Sequence, residues 1–228
     1  MATRTHDRPT VLVFDVNETL LDIESLAPHF ERIFGDAGVL REWFAQLVLY
    51  SMTVTLADRY VDFFSLGRAV LQMTADIHGR GITDDDLHEL STGMQTMPAH
   101  PDVGDGLLAL GEKGYRLVTL TNSPPNREGI TPLENAGIAG HFERQFSVDS
   151  LQAFKPSPRV YTGVATELGV PPSECMIVAA HAWDTLGAQA AGYTAALITR
   201  PGNAVLAAPG LPEPDLVVGD LRELARRL

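Results

Sequence analysis

Val11-Leu12-Val13-Phe14-Asp15 is a short apolar run that ends in a carboxylate. Four apolar residues in a row, with no polar alternate, predict a strand buried on both faces, as in parallel sheets. Runs of the same kind recur at 116–121, 146–148, 176–180, 195–199 and 215–218. Helical stretches separate them. One centres on Leu107, Leu108 and Leu110. Another covers 158–168, with Ser157 as N-cap, Pro158 at the first helical position and Gly169 just past the end. Strand and helix alternate, which predicts an α/β fold on an open parallel sheet.

Residues 23–97 interrupt the alternation. Leu40, Trp43, Phe44, Leu47 and Val48 fall at i, i+3, i+4, i+7 and i+8, one face of an amphipathic helix. Ile23, Leu26, Phe30 and Ile33 predict another before it, and Thr83 ahead of Asp84, Asp85 and Asp86 marks a helix start with an acidic first turn. No strand pattern occurs here, and the chain rejoins the alternation near Pro98 and Pro101. The expected organisation is a core of residues 1–22 and 98–228 with a helical insert of residues 23–97. Parallel α/β sheets bind ligands at the carboxyl ends of their strands. An insert directly after the first strand stands over that edge as a lid, where its closure excludes water.

The 228 residues carry a formal net charge of -12, with 45% hydrophobic residues and a mean hydropathy of +0.02. That balance supports a sizeable core and argues against nucleic acid or an anionic membrane as partner. Lys113 and Lys155 are the only lysines, and Cys175 is the only cysteine, so neither a disulfide nor a cysteine zinc site can form within the chain. The first ten residues are polar and no run approaches a membrane span, which predicts a soluble cytoplasmic protein.

Four polar clusters fall at the ends of consecutive predicted strands: Asp15-Val16-Asn17-Glu18-Thr19, Thr121-Asn122-Ser123, Lys155-Pro156 and His181-Ala182-Trp183-Asp184. A carboxylate can attack an electrophilic centre and form a covalent ester or acyl phosphate. It needs a nearby cation to stay ionised, and Lys155 is the lysine placed for that. Thr121 and Asn122 can donate to the nucleophile or to substrate, Thr19 can hold the Asp15 loop, and Asp184 can orient or deprotonate a hydrolytic water.

This set resembles the haloacid-dehalogenase superfamily. Asp15 with Thr19 matches its first motif, Thr121 with Asn122 its second, Lys155 its third and Asp184 the acid of its fourth. Arg59-Tyr60-Val61-Asp62-Phe63, Ser147-Val148-Asp149, Arg159-Val160-Tyr161 and Ala182-Trp183-Asp184 with Gly187-Ala188 look like the L-2-haloacid dehalogenase branch. The resemblance implies a Rossmann-like parallel-sheet core with an inserted helical cap domain. It implies Asp15, Thr19, Lys155, Asp184 and His181 as catalytic residues, and Asn17, Thr121, Asn122, Phe44, Tyr161 and Trp183 as substrate-binding residues. A small haloacid is the implied substrate. Relatives are often dimers, which extends a homodimer to this chain by analogy alone.

Two positions separate attack on carbon from attack on phosphorus. The phosphatases of the superfamily carry a second Asp two residues after the nucleophile, to protonate a departing alkoxide. Asn17 stands there, and an amide donates no catalytic proton at neutral pH. A halide leaves as a stable anion and needs no acid. The Gly-Asp that opens the fourth motif of Mg²⁺-holding relatives corresponds to Ala179-Ala180, so no metal and no cofactor is expected. The alternative is a Mg²⁺-dependent phosphatase acting on a small phosphate ester. A Schiff-base lysine from the insert, as in phosphonoacetaldehyde hydrolysis, is excluded because residues 23–97 contain no lysine.

The pocket also departs from the dehalogenase pattern. Asn17-Glu18 replaces Tyr-Gly, Ala179 and His181 replace Ser and Asn, and Phe44 falls where an arginine over the pocket is usual. Arg41, one turn earlier, is placed to substitute for it but reads first as a solvated surface arginine. His181 reads as a functional group, either a water activator or, when protonated, a halide donor. His100 is a weaker candidate to face the pocket.

Overall fold

Among the described residues, six parallel strands form one sheet in the order β3-β2-β1-β4-β5-β6. They are β1 (Val11–Phe14), β2 (Arg116–Thr121), β3 (Arg144–Ser147), β4 (Cys175–Ala179), β5 (Thr194–Ile198) and β6 (Leu216–Val218). The computed structural model describes residues 9–125 and 129–228; the first eight residues of the polar start of the chain lie outside them. β1, β4 and β5 are buried at every position, which is why their sequences run apolar without alternation. β1 pairs with β2 on one side and β4 on the other, and the strand order reverses around it. Such a reversal opens a crevice at the carboxyl ends of the strands.

β3 begins two residues before its expected start, and Val148 lies beyond it in a 3-10 turn. Arg144 and Gln145 are exposed on this edge strand, so polar residues hide where it begins.

Between β1 and β2 lie α1 (Ala27–Phe34), α2 (Val39–Leu56), α3 (Phe63–Ile77) and α4 (Asp84–Gln95), with no strand in residues 23–97. Leu40, Trp43, Phe44, Leu47 and Val48 are all buried on α2, as their spacing requires. Asp62 starts α3 by accepting from the N–H groups of Phe64 and Ser65, a cap that satisfies otherwise unpaired donors. Thr83 and Asp86 form a reciprocal capping box at the start of α4. The chain leaves and re-enters the sheet at one place, where Asp22 N–H donates to Pro98 O at 2.8 Å and Leu21 bridges Ala99.

α5 (Val103–Glu112), the short α6 (Pro132–Asn135), α7 (Pro158–Leu168), α8 (Ala182–Ala190) and α9 (Leu221–Arg227) follow. α7 starts on Pro158 and stops at Gly169 with a φ of 70°, as its sequence predicts. Ser157 holds the N-cap position, but its side chain makes no capping bond. α8 lies flush on the loop before α7: a Cβ on Gly187 would sit 2.5 Å from Pro156 Cβ. That close approach fixes Lys155 against the first turn of α8.

Candidate active site

Asp15 is the residue after β1, and its N–H still donates to Val178 O at 3.1 Å. The ladder therefore carries its side chain to the carboxyl edge of the sheet, where it is 5% exposed. Oδ1 accepts from Lys155 Nζ at 2.7 Å, and Oδ2 accepts from Thr19 Oγ1 at 2.6 Å. Thr19 Oγ1 in turn accepts from Ala180 N–H at 2.9 Å, which ties the loop after β1 to the end of β4.

Lys155 Nζ donates to three acceptors: Asp15 Oδ1 at 2.7 Å, Asp184 Oδ2 at 2.7 Å and Leu120 O at 3.0 Å. All three ammonium hydrogens are used. Its N–H donates to Asn122 Oδ1 at 3.0 Å. Asp184, in the first turn of α8, also accepts from Tyr161 OH at 2.5 Å.

His181 lies between two carboxylates. Nε2 is 2.7 Å from Glu18 Oε2, and Nδ1 is 3.3 Å from Asp15 Oδ2. The second contact is electrostatic, since the ring N–H is not aligned for a hydrogen bond with Asp15. Trp183 stacks on the imidazole at 4.8 Å between centroids, and Phe44 lies 5.8 Å away.

These contacts set the charges. Burial would raise the pKa of Asp15, but the Lys155 and His181 cations outweigh it and hold the carboxyl well below the usual range. Burial opposes the Lys155 ammonium, and Asp15 and Asp184 overcome that and raise its pKa. Burial also disfavours the His181 cation, yet the close carboxylates of Asp15 and Glu18 lift its pKa to about 9. Asp184 is held above the ordinary carboxylate range, by burial first, with Lys155 opposing and Asp15 adding to it. At neutral pH the site thus holds an ionised Asp15 beside two cations, Lys155 and His181.

A small cavity of about 10 Å³ lies against Asp15. That is close to the room one water needs, so a larger ligand requires the wall to move. Asn17, Thr121, Asn122 and His181 supply polar lining; Phe44 and Val48 of α2, Phe63 of α3 and Trp183 supply an apolar wall. Among the described residues, no group of three or more His, Cys, Asp or Glu is arranged to hold a metal ion.

The sheet edge brings Asp15, Asn17, Thr19, Thr121, Asn122, Lys155, His181, Trp183 and Asp184 together, and α2 brings Phe44 to them. Tyr161 is the correction. It was expected at the substrate, but it is fully buried behind Asp184 and absent from the cavity wall, because α7 packs it against Tyr193 under the sheet edge. Arg41 is half-buried and not free: its guanidinium pairs with Glu18 and Glu24 and donates to Pro201 O at 3.1 Å. His100 braces the loop, 3.1 Å from Glu18 O, rather than lining the cavity.

Sequence reading assigned no role to Glu18, Arg200 or Asn203. Glu18 Oε1 accepts from Asn203 Nδ2 at 2.7 Å. Arg200 Nε donates to Thr19 O at 3.1 Å while its fork is held by Asp102. Their partners are far away in the chain, so no local pattern marks them. Glu18 left one signal, an acidic residue three positions after Asp15 where glycine is usual.

A buried carboxylate after the central strand, bridged by a buried lysine to a second buried carboxylate, is the core of the site. Residues 9–192 match the model of the haloacid dehalogenase-like hydrolases, and the chain belongs to that family. It is 34% identical over 191 residues to (S)-2-haloacid dehalogenase 1 of Pseudomonas sp. (strain CBS-3), covering 82% of this chain and 83% of that protein. It is 29% identical over 198 residues to the (S)-2-haloacid dehalogenase of Xanthobacter autotrophicus, covering 86% and 77%. The solved L-2-haloacid dehalogenase of Xanthobacter autotrophicus with chloropropionic acid covalently bound superposes with a TM-score of 0.84 at 26% identity, covering 96% of this chain and 97% of that one.

Proposed function

We propose that the chain hydrolyses small (S)-2-haloalkanoic acids to 2-hydroxy acids through an ester on Asp15, without a metal. The observation that carries this reading is an ionised, doubly tethered Asp15 carboxylate facing an apolar-walled cavity, beside an amide, Asn17, that donates no catalytic proton. The named dehalogenase relatives support it.

In the first step an Asp15 oxygen attacks C2 from the side opposite the halogen. The C–O bond forms as the carbon–halogen pair leaves with the halide, so configuration inverts. Lys155 and Thr19 hold the carboxylate in line, which lowers the entropic cost of attack. The wall of Phe44, Val48, Phe63 and Trp183 suits a haloalkyl group. Esterification discharges Asp15 and removes the like charge acting on Asp184. Asp184 then accepts a proton from water as that water attacks the Asp15 carboxyl carbon. The ester C–O bond breaks, the alkoxide takes up the proton, and Asp15 is restored. Tyr161 keeps Asp184 oriented.

Residues 23–97 act as the cap domain over a core of residues 1–22 and 98–228, and the cap moves to admit substrate. Among the described residues no helix is long and apolar enough to cross a membrane. The buried free thiol of Cys175 suits a reducing, cytoplasmic setting, and a homodimer follows by analogy with relatives.

Halide release from (S)-2-chloropropionate, with (R)-lactate as product and no loss in EDTA, tests this reading. The Mg²⁺-dependent phosphatase alternative is disfavoured by Asn17 and by the relatives. Mg²⁺-dependent hydrolysis of p-nitrophenyl phosphate with no halide release from any short 2-haloacid would overturn the proposal in its favour.

A further inference from the structure

Glu18 has no part in the two chemical steps, yet the fold invests heavily in it. Its φ is 68°, an uncommon state for a residue with a Cβ. It is 3% exposed, and three donors from separate elements converge on its carboxylate: His181 Nε2 at 2.7 Å, Asn203 Nδ2 at 2.7 Å, and the Arg41 guanidinium from α2. The His181 ring lines the cavity, and its other nitrogen, Nδ1, is buried with no aligned acceptor among the described residues.

In-line displacement decides what such a donor can reach. The halide departs on the far side of the attacked carbon from Asp15. A group 3.3 Å from Asp15 Oδ2 is beside the nucleophile, where a substituent of the attacked carbon lies. In a 2-haloacid that substituent is the carboxylate. Phe44 offers it no charge, and Arg41 is committed to Glu18 and Glu24.

We propose that the Nδ1–H of His181 receives the substrate carboxylate, and that Glu18 is the positioning residue that keeps His181 protonated on both nitrogens and turned to the cavity. This rests on the dehalogenase reading and names the group that recognises the acid. The charged groups around His181 are Asp15 at the end of β1, Glu18 in the loop after it, Lys155 on the far oxygen of Asp15, Asp184 one turn on in α8, and Arg41 behind Glu18. When His181 loses a proton, the one shared with Glu18 stays on Nε2. Nδ1 then presents a lone pair to an anion, and binding fails.

The test measures KM and kcat for (S)-2-chloropropionate against pH in the wild type, Glu18→Gln and His181→Gln. His181 ring resonances are followed by NMR in parallel. In the wild type, KM rises about tenfold as His181 deprotonates, the loss expected for one charge-assisted bond. Glu18→Gln moves that rise and the NMR midpoint down together by about one pH unit or more, while kcat below the midpoint stays within a few-fold. His181→Gln has a raised KM that is flat across this range. An unchanged NMR midpoint in Glu18→Gln, or an unchanged KM in His181→Gln, would overturn the inference. Binding of (R)-lactate, read at the His181 resonances, separates the two levels. A ring shift on lactate binding without halide release from any haloacid keeps the inference and sinks the dehalogenase reading. Halide release with no ring shift does the reverse.

Discussion

The Tyr161 hydroxyl donates to Oδ1 of Asp184 across 2.5 Å, deep under the sheet edge. Lys155 takes the other oxygen, so the carboxylate proposed to activate water is fixed from both sides. Tyr161→Phe removes one tether and leaves a buried acceptor unpaired. Ester hydrolysis is then expected to slow by up to about a hundredfold, the lower end of the range for a positioned base. Ester formation, which does not use Asp184, changes little. Rapid-quench kinetics would show a halide burst of one equivalent followed by slow turnover; equal slowing of both phases would contradict this division of labour.

Lys155 is the hub of the buried charges. Lys155→Met leaves Asp15 and Asp184 facing each other without the ammonium that bridges them. Breaking a buried ion pair from one side costs about 3–5 kcal/mol, so urea denaturation at pH 7 should show a loss of that size together with loss of turnover. A stable variant with wild-type kinetics would remove Lys155 from the mechanism.

The raised pKa of His181 makes a stability prediction apart from catalysis. An unfolded histidine titrates near 6.5, and the folded one near 9. Charged His181 therefore stabilises the fold fully below about pH 6.5, and this contribution fades as pH rises through 9. Unfolding free energies from pH 6 to 10 should fall in the wild type and fall less in His181→Gln. Parallel curves would show that His181 is not held as a cation.

Gly187 sets the distance between α8 and the Lys155–Pro156 loop. Gly187→Ala forces a Cβ to 2.5 Å from Pro156 Cβ and 2.6 Å from Pro156 O. Overpacking of this kind costs about 1–3 kcal/mol, and because Lys155 moves with the loop, kcat should fall too. Gly104→Ala, where nothing lies within 4 Å, is the control and should keep both stability and activity.

The fold was largely readable because parallel strands and amphipathic helices write their burial into local composition. Asp15, Thr19, Lys155 and Asp184 were readable because each ends or follows such a strand. What was not readable depends on side-chain direction and distant partners. Tyr161 occupies one face of a correctly read helix, yet points beneath Asp184 rather than into the cavity. Arg41 looks like any surface arginine until the fold brings Glu18 to it. The start of β3 was missed because edge strands carry polar residues. In each case the deciding information lies in tertiary packing, which no window of sequence contains.

A single turnover in H₂¹⁸O with enzyme in excess over (S)-2-chloropropionate, followed by mass spectrometry, locates the solvent oxygen. If water attacks an Asp15 ester, one ¹⁸O enters the Asp15 carboxylate and the released (R)-lactate carries an unlabelled hydroxyl, since that oxygen came from Asp15. Labelled lactate with unlabelled Asp15 would mean that water attacks C2 itself, and Asp15 would not be the nucleophile.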